Sequence, residues 1–145
     1  MVIKTQNIQK TYNPDSIPVH ALRGVDLEIQ KGEFTAIVGP SGSGKTTLLN
    51  IIGGLDRPSE GYIEVGGTDI SKLSDNQLID FRRNNIGFVF QAYNLIPVLT
   101  AKENVEFVML LQNRTEKERT ERAEELLNAV GLEKEIDRRP SKLSG

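Results

Sequence analysis

The chain has no cysteine and one histidine, His20, among its 145 residues. The first absence excludes disulfides and cysteine-ligated metal, and fits a reducing compartment. The single histidine excludes a multi-histidine metal site within one chain. No stretch approaches the ~18 apolar residues of a membrane span; the longest apolar run is Phe107-Val108-Met109-Leu110-Leu111. The N-terminus, MVIKTQNIQK, has no apolar segment of the secretory kind. Basic residues are not in excess either. With a formal net charge of -2 the composition does not favour a nucleic-acid partner. The length suits one domain.

What is present begins as β structure and ends as helix. Val25, Leu27 and Ile29 alternate with Asp26 and Glu28, the pattern of a half-buried strand. Lys31-Gly32 marks a turn, and Phe34 to Val38 reads as a short buried strand. A glycine-rich loop at 39–44 follows. Leu48, Leu49, Ile51, Ile52 and Leu55 then predict a helix ended by Gly53-Gly54 and Pro58. Tyr62 to Val65 reads as a strand before a Gly66-Gly67 turn. Ser74 and Gln77 form a capping-box pattern for a helix reaching about Arg82. Ile86 to Phe90 is a second buried-strand candidate. From Thr100 onward the chain reads as helical. Thr115 and Glu118 repeat the capping box, and Ala123, Leu126, Leu127 and Val130 give a helical apolar stripe before Gly131. That stripe is expected to pack internally, with the charged face solvated.

The most specific signal is Gly39-Pro40-Ser41-Gly42-Ser43-Gly44-Lys45-Thr46, which matches G-x-x-x-x-G-K-[ST] at every fixed position. Its glycines allow close backbone approach to a ligand, and successive N–H groups form an anion nest. The helix beginning near Gly44 adds the positive end of its dipole. Lys45 supplies a full charge for β- and γ-phosphates, and the Thr46 hydroxyl suits Mg²⁺. A flexible glycine-serine loop would not need the strand-loop-helix order read here. The motif alone does not choose ATP over GTP. A guanine-specific Asn-Lys-x-Asp motif is absent, and Arg114, Lys117, Arg119 and Arg122 are interleaved with glutamates rather than gathered into a kinase-like basic lid. Gln91, after the second strand candidate, has an amide suited to ligating Mg²⁺ or orienting water, although on spacing alone it reads as an ordinary polar loop residue. Tyr12, on the residues alone, reads as a loop-anchoring aromatic.

Together these residues resemble the ATP-binding-cassette (ABC) transporter nucleotide-binding domain. The resemblance runs from Tyr12 through Ala21-Leu22-Arg23-Gly24-Val25, the phosphate loop, Asn50 to Asp56, and Ile86 to Gln91. It continues through Tyr93-Asn94-Leu95-Ile96-Pro97 and Thr100 to Val105, and ends at Leu143-Ser144-Gly145, the opening of a Leu-Ser-Gly-Gly-Gln signature. Phe81-Arg82-Arg83 to Val105 resembles most the lipoprotein-release and macrolide-export branch. The resemblance implies an α/β P-loop NTPase fold. It would comprise an N-terminal antiparallel β subdomain and partial RecA-like core over about 1–99, and an α-helical subdomain over about 100–145, with the C-terminal part of the core missing.

It further implies ATP and Mg²⁺ as cofactors, with nucleotide held by Tyr12, Gly39, Pro40, Ser41, Gly42, Ser43, Gly44, Lys45, Thr46 and Thr47. Tyr12 would stack on adenine. Thr46 and Gln91 would reach the metal, Lys45 and Gln91 would serve catalysis, and Ser144 and Gly145 would act across a head-to-tail dimer of ATPase subunits. Residues 92–104 would meet a membrane permease, placing the protein in the cytoplasm at the inner face of the membrane, where it would power export. The family's hydrolytic Asp-Glu strand and later histidine follow the signature. No apolar run ending in Asp-Glu occurs in this chain, and His20 is out of position. The chain alone is therefore expected to be deficient in hydrolysis, with marginal stability or association through an exposed sheet edge. The alternative is a non-hydrolytic nucleotide-binding or permease-interaction fragment.

Overall fold

The computed structural model describes residues 1–143 and divides into two compact units, Met1–Ile86 and a second unit from Gly87 on. The first unit is a four-stranded sheet backed by two helices. Its strands are β1 (Ile3–Tyr12), β2 (Val19–Ile29), β3 (Glu60–Val65) and β4 (Thr68–Asp69), in the order β2-β1-β3-β4 with every pair antiparallel. The helices are α1 (Lys45–Ile52) and α2 (Asp75–Asn85).

The alternation read for residues 25–29 is present: Val25, Leu27 and Ile29 are half-buried and their charged neighbours exposed. One sheet face contributes Ile8, Leu22, Ile63 and Val65 to the core, where they pack with Leu48 and Ile51 of α1 and Leu78 of α2. Apolar burial of this kind is the main source of stability, at ~25 cal/mol per Å² removed from water. The one buried polar side chain of that core region, Thr5, donates to the Val25 carbonyl at 3.0 Å, so its hydroxyl carries no unpaired cost.

The central strand β1 is irregular where sequence periodicity gives no warning. Its register slips between Thr5 and Ile8 against β2, and between Gln6 and Gln9 against β3. Asn7 sits at φ 50°, and its N–H donates to Asp26 Oδ1 at 2.7 Å. This is a β-bulge: the side chain of the neighbouring strand replaces the lost ladder bond. Gly61 makes room for it. At φ 101°, a Cβ there would lie 2.4 Å from the Asn7 carbonyl oxygen.

Helix starts follow the side chains that cap them. Ser74 caps α2 in a full capping box with Gln77, and α2 runs to Asn85, beyond the expected end at Arg82. In the second unit α3 (Ala101–Leu111) and α4 (Glu116–Ala129) start with full boxes, Thr100 with Glu103 and Thr115 with Glu118. The Thr100 N–H donates to Glu103 at 2.7 Å and the Thr115 N–H to Glu118 at 2.9 Å. These backbone bonds, with the threonine hydroxyls, hold both carboxyls below their ordinary range. Helix α4 ends on paired bonds, Gly131 N–H to the Asn128 carbonyl and Leu132 N–H to the Leu127 carbonyl. Of its expected apolar stripe, Ala123 and Leu127 are buried, whereas Leu126 and Val130 are exposed. Arg122 pairs with Glu125, and the Glu118 carboxylate is engaged at the helix start.

Two expectations are corrected. Neither 34–38 nor 86–90 forms a buried strand. Phe34 is 98% exposed, Val38 86%, and Val89 fully exposed. Apolar, β-rich composition creates a demand for pairing, but a strand exists only in a ladder. Among the described residues no strand pairs with either segment. Phe88 and Phe90 instead stack on each other, with ring centroids 5.8 Å apart.

Replacing Gly61 by Ala should lower the unfolding free energy of the first unit by roughly 1–3 kcal/mol, since it adds a left-handed strain and a carbonyl clash. A Gly87→Ala change, where a Cβ meets nothing within 4 Å, should be neutral. Urea midpoints of the two variants check this; equal midpoints would refute the tight-bulge account.

Candidate functional site

The phosphate-loop motif occupies the turn between residue 39 and the start of α1. Ser43 N–H donates to the Pro40 carbonyl at 3.3 Å and closes the turn. Gly44 then passes against β2 at φ 89°. A Cβ on Gly44 would lie 2.5 Å from the Ala21 carbonyl oxygen and 2.9 Å from Leu22 Cδ2. Only glycine allows this approach, which seats the loop on the sheet.

The N-cap of α1 is Gly44, with no side-chain cap and no acidic residue in the first turn. Its leading N–H groups are therefore left without the side-chain oxygens that close the starts of α2, α3 and α4. This is the local chemistry of an anion site: bare N–H donors and the positive dipole end. Lys45 brings the full charge. Its ammonium donates to the Gly39 carbonyl at 2.8 Å, the Pro40 carbonyl at 2.6 Å and Ser43 Oγ at 3.4 Å. The loop and Lys45 border an open concavity of about 270 Å³, walled on its apolar side by Leu22, Ile37 and Leu48. Thr46 is exposed and Thr47 half-buried in the first turn. The structure therefore brings Gly39, Pro40, Ser41, Gly42, Ser43, Gly44, Lys45, Thr46 and Thr47 into one loop-helix element.

Tyr12, at the end of β1, belongs to a separate cluster in the same unit. Its hydroxyl donates to Asp56 Oδ2 at 2.8 Å. Lys10 donates to Asp56 Oδ1 at 2.6 Å and to the Arg57 carbonyl at 2.8 Å, and its ammonium lies 4.8 Å from the Tyr12 ring centroid. Burial pushes the Asp56 carboxyl up, but hydrogen bonds from Lys10, Tyr12 and the Arg57 N–H outweigh it, so the group titrates below its ordinary 3.8. Sequence reasoning singled out Tyr12 and missed Lys10 and Asp56. The lysine two residues before the tyrosine was one available cue; Asp56 falls within the Asn50–Asp56 stretch of the resemblance, but nothing there linked it to Tyr12.

Gln91 lies in the second unit, on an exposed segment outside helix and strand. Downstream, Asn104 fastens the turn before α3. Its Oδ1 accepts from Ile96 N–H at 2.8 Å, and its Nδ2 donates to the carbonyls of Ile96, Leu99 and Thr100. Asn104 falls within the Thr100–Val105 stretch of the resemblance, but nothing in the sequence gave it this fastening role. Thr100 was legible as a cap, since Thr-x-x-Glu is a capping box, but it was read as the point where helix begins and as part of the resemblance, not as a cap. His20, set aside at the sequence level, has Nδ1 3.0 Å from Thr11 Oγ1 across the β1–β2 pair. Ser144 and Gly145 lie outside the described residues. Among those residues no helix is long and apolar enough to cross a membrane.

A family model described as ABC transporter matches residues 22–145. An uncharacterized ABC transporter ATP-binding protein of Thermotoga maritima is 48% identical over 144 residues, covering 99% of this chain and 62% of its own length. The macrolide export ATP-binding/permease protein MacB of Marinobacter nauticus is 46% identical over 144 residues, covering 99% of this chain but 22% of its own length. A solved structure of the ATP-binding cassette MJ0796, described as a dimeric post-hydrolysis state bound to ADP and Pi, superposes with a TM-score of 0.89 at 45% identity. That match covers 98% of this chain and 63% of the other. The uncharacterized ATP-binding protein MJ0796 of Methanocaldococcus jannaschii is 46% identical over 148 residues. The chain thus spans less than two thirds of each of these relatives.

The Asp56 cluster carries a pH signature. Because its folded pKa is depressed, its contribution to stability is fully present above about 4 and is lost as pH falls through the folded value. The stability difference between the unmodified chain and Asp56→Asn should therefore be constant near neutrality and shrink below pH 4. Urea unfolding across that range measures it; a difference that does not change with pH would contradict the charged network.

Proposed function

Because the chain belongs to the ABC transporter family, we propose that it is the nucleotide-binding part of a transporter ATPase subunit, taking MgATP at the 39–47 loop. The observation that carries this reading is the uncapped start of α1 beside the Lys45 ammonium. On binding, Lys45 would leave the Gly39 and Pro40 carbonyls for the β- and γ-phosphate oxygens, and the first-turn N–H groups would complete the cradle. Among the described residues no group of three or more His, Cys, Asp or Glu side chains is arranged to hold a metal. The donor set fits a cation that arrives with the polyphosphate and takes the Thr46 hydroxyl as ligand. When bound, Mg²⁺ supplies neutralisation of phosphate charge.

The remaining assignments rest on the family. Tyr12 would stack on the adenine and Gln91 would contact the metal and the attacking water. Residues 92–104 would engage a permease, and a second ATPase subunit would contribute its signature motif, the role read for Ser144 and Gly145. The helical subdomain would begin near residue 100. Such a subunit would sit at the cytoplasmic face of a membrane and drive export, the direction named for the MacB relative.

Calorimetric titration of MgATP tests the core of this proposal. Lys45→Ala should weaken binding by at least about tenfold, since it removes charge-assisted bonds of ~1.5–3 kcal/mol. Thr46→Ala should leave Mg²⁺-free ATP binding unchanged while reducing the gain on adding Mg²⁺. Unaltered affinity in Lys45→Ala would overturn the assignment.

A further inference from the structure

We infer that Lys10 and Asp56 are positioning residues for nucleotide recognition, fixing the orientation of the Tyr12 ring and the face it offers to a base. The inference rests on the proposed role of Tyr12 and deepens it. An exposed tyrosine at a strand end ordinarily keeps rotameric freedom, and that freedom is lost when a ligand stacks on it. Tyr12 is held at two points before any ligand arrives. Its hydroxyl is tied to Asp56 Oδ2 at 2.8 Å, and one ring face lies under the Lys10 ammonium, 4.8 Å from the centroid. Lys10 is itself held by Asp56 Oδ1 and the Arg57 carbonyl, so the cation does not wander from the ring. A base would be left the opposite face.

Asp56 is in turn fixed to the helix that carries the phosphate loop. Leu55 N–H and Asp56 N–H both donate to the Asn50 carbonyl, at 2.7 and 3.2 Å, near the end of α1. The Arg57 N–H donates back to Asp56 Oδ1 at 2.7 Å. The eight residues of α1, about 12 Å of rigid rod, thus connect the uncapped phosphate end to the carboxylate that anchors the aromatic ring. The base end and the phosphate end of a nucleotide would be referenced to one element.

The test compares MgATP with Mg-tripolyphosphate, which has phosphates and no base, by calorimetry on the full chain. Asp56→Ala should weaken ATP by roughly 3- to 10-fold, as expected for part of a base–aromatic stack, and leave tripolyphosphate within about twofold. Asp56→Asn, which still accepts from the tyrosine hydroxyl, should recover part of the loss. Tyr12→Phe, which keeps the ring and frees its edge, should lose ATP affinity selectively in the same direction. Equal losses for both ligands would reduce Asp56 to a general prop of the fold and overturn the inference, as would ATP affinity unchanged in Asp56→Ala. An unmodified chain that binds ATP no better than tripolyphosphate would instead overturn base stacking by Tyr12 itself.

Discussion

The first unit depends on one close approach, that of Gly44 against the Ala21 carbonyl and Leu22 of β2. The phosphate loop has no ladder of its own to fix it. Its position comes from leaning on the antiparallel sheet at a distance that excludes any Cβ. Leu22 serves both sides of this contact, since the side chain that a Gly44 Cβ would strike is also a core residue with Leu48 and Ile51. Packing of α1 on the sheet and seating of the loop are therefore one event. A change that loosens the core there would also move the donors at the helix start.

The parts of the fold that were legible in sequence are those specified locally. Ser74 with Gln77 and Thr115 with Glu118 each need four consecutive residues, and both formed the boxes their spacing predicts. The Gly66-Gly67 turn joins β3 to β4 for the same reason. The phosphate loop was legible because its glycines, lysine and threonine carry their meaning in fixed spacing. The segments at 34–38 and 86–90 were misread because strand formation is not local. Composition can state that Phe34 and Val89 suit a sheet, but it cannot supply the neighbour. The Asn7 bulge was invisible because its cause is Asp26 on the next strand and the missing side chain of Gly61 on the other. Lys10 and Asp56 escaped for a related reason: their chemistry exists only once β1 lies beside the turn after α1.

Both units carry exposed apolar surface. In the first it includes Phe34 and Val38, which lead into the phosphate loop, but also Ile17 and Val19 around the start of β2 and Leu49, Leu55 and Ile79 on and after the helices. In the second it includes Val89, Tyr93 and Val98 on the irregular segment, and Val108, Leu110 and Leu111 on α3. Yet that irregular segment is not loosely tied throughout. Four hydrogen bonds to Asn104 secure the stretch from Ile96 to Thr100, and the capping box at Thr100 anchors it to α3. Val98 lies on this fastened stretch, whereas Val89 and Tyr93 precede it.

The contrast among the four helix starts gives the site its direction. Three helices close their leading N–H groups with a hydroxyl and a returning side chain, at the cost of being unable to receive anything else. Helix α1 leaves its own open, and Lys45 folds back onto the loop carbonyls. Those bonds are ammonium to neutral oxygen. Exchange for ammonium to phosphate oxygen would trade a neutral acceptor for an ionised one and add the attraction between opposite charges. The carbonyls released by Lys45 return to solvent at an exposed loop, where water meets their needs at little cost. The resting contacts order the lysine at the loop, and an anionic ligand would displace them. On the proposed reading, the side chain that holds the loop together here would hold the ligand once it is bound.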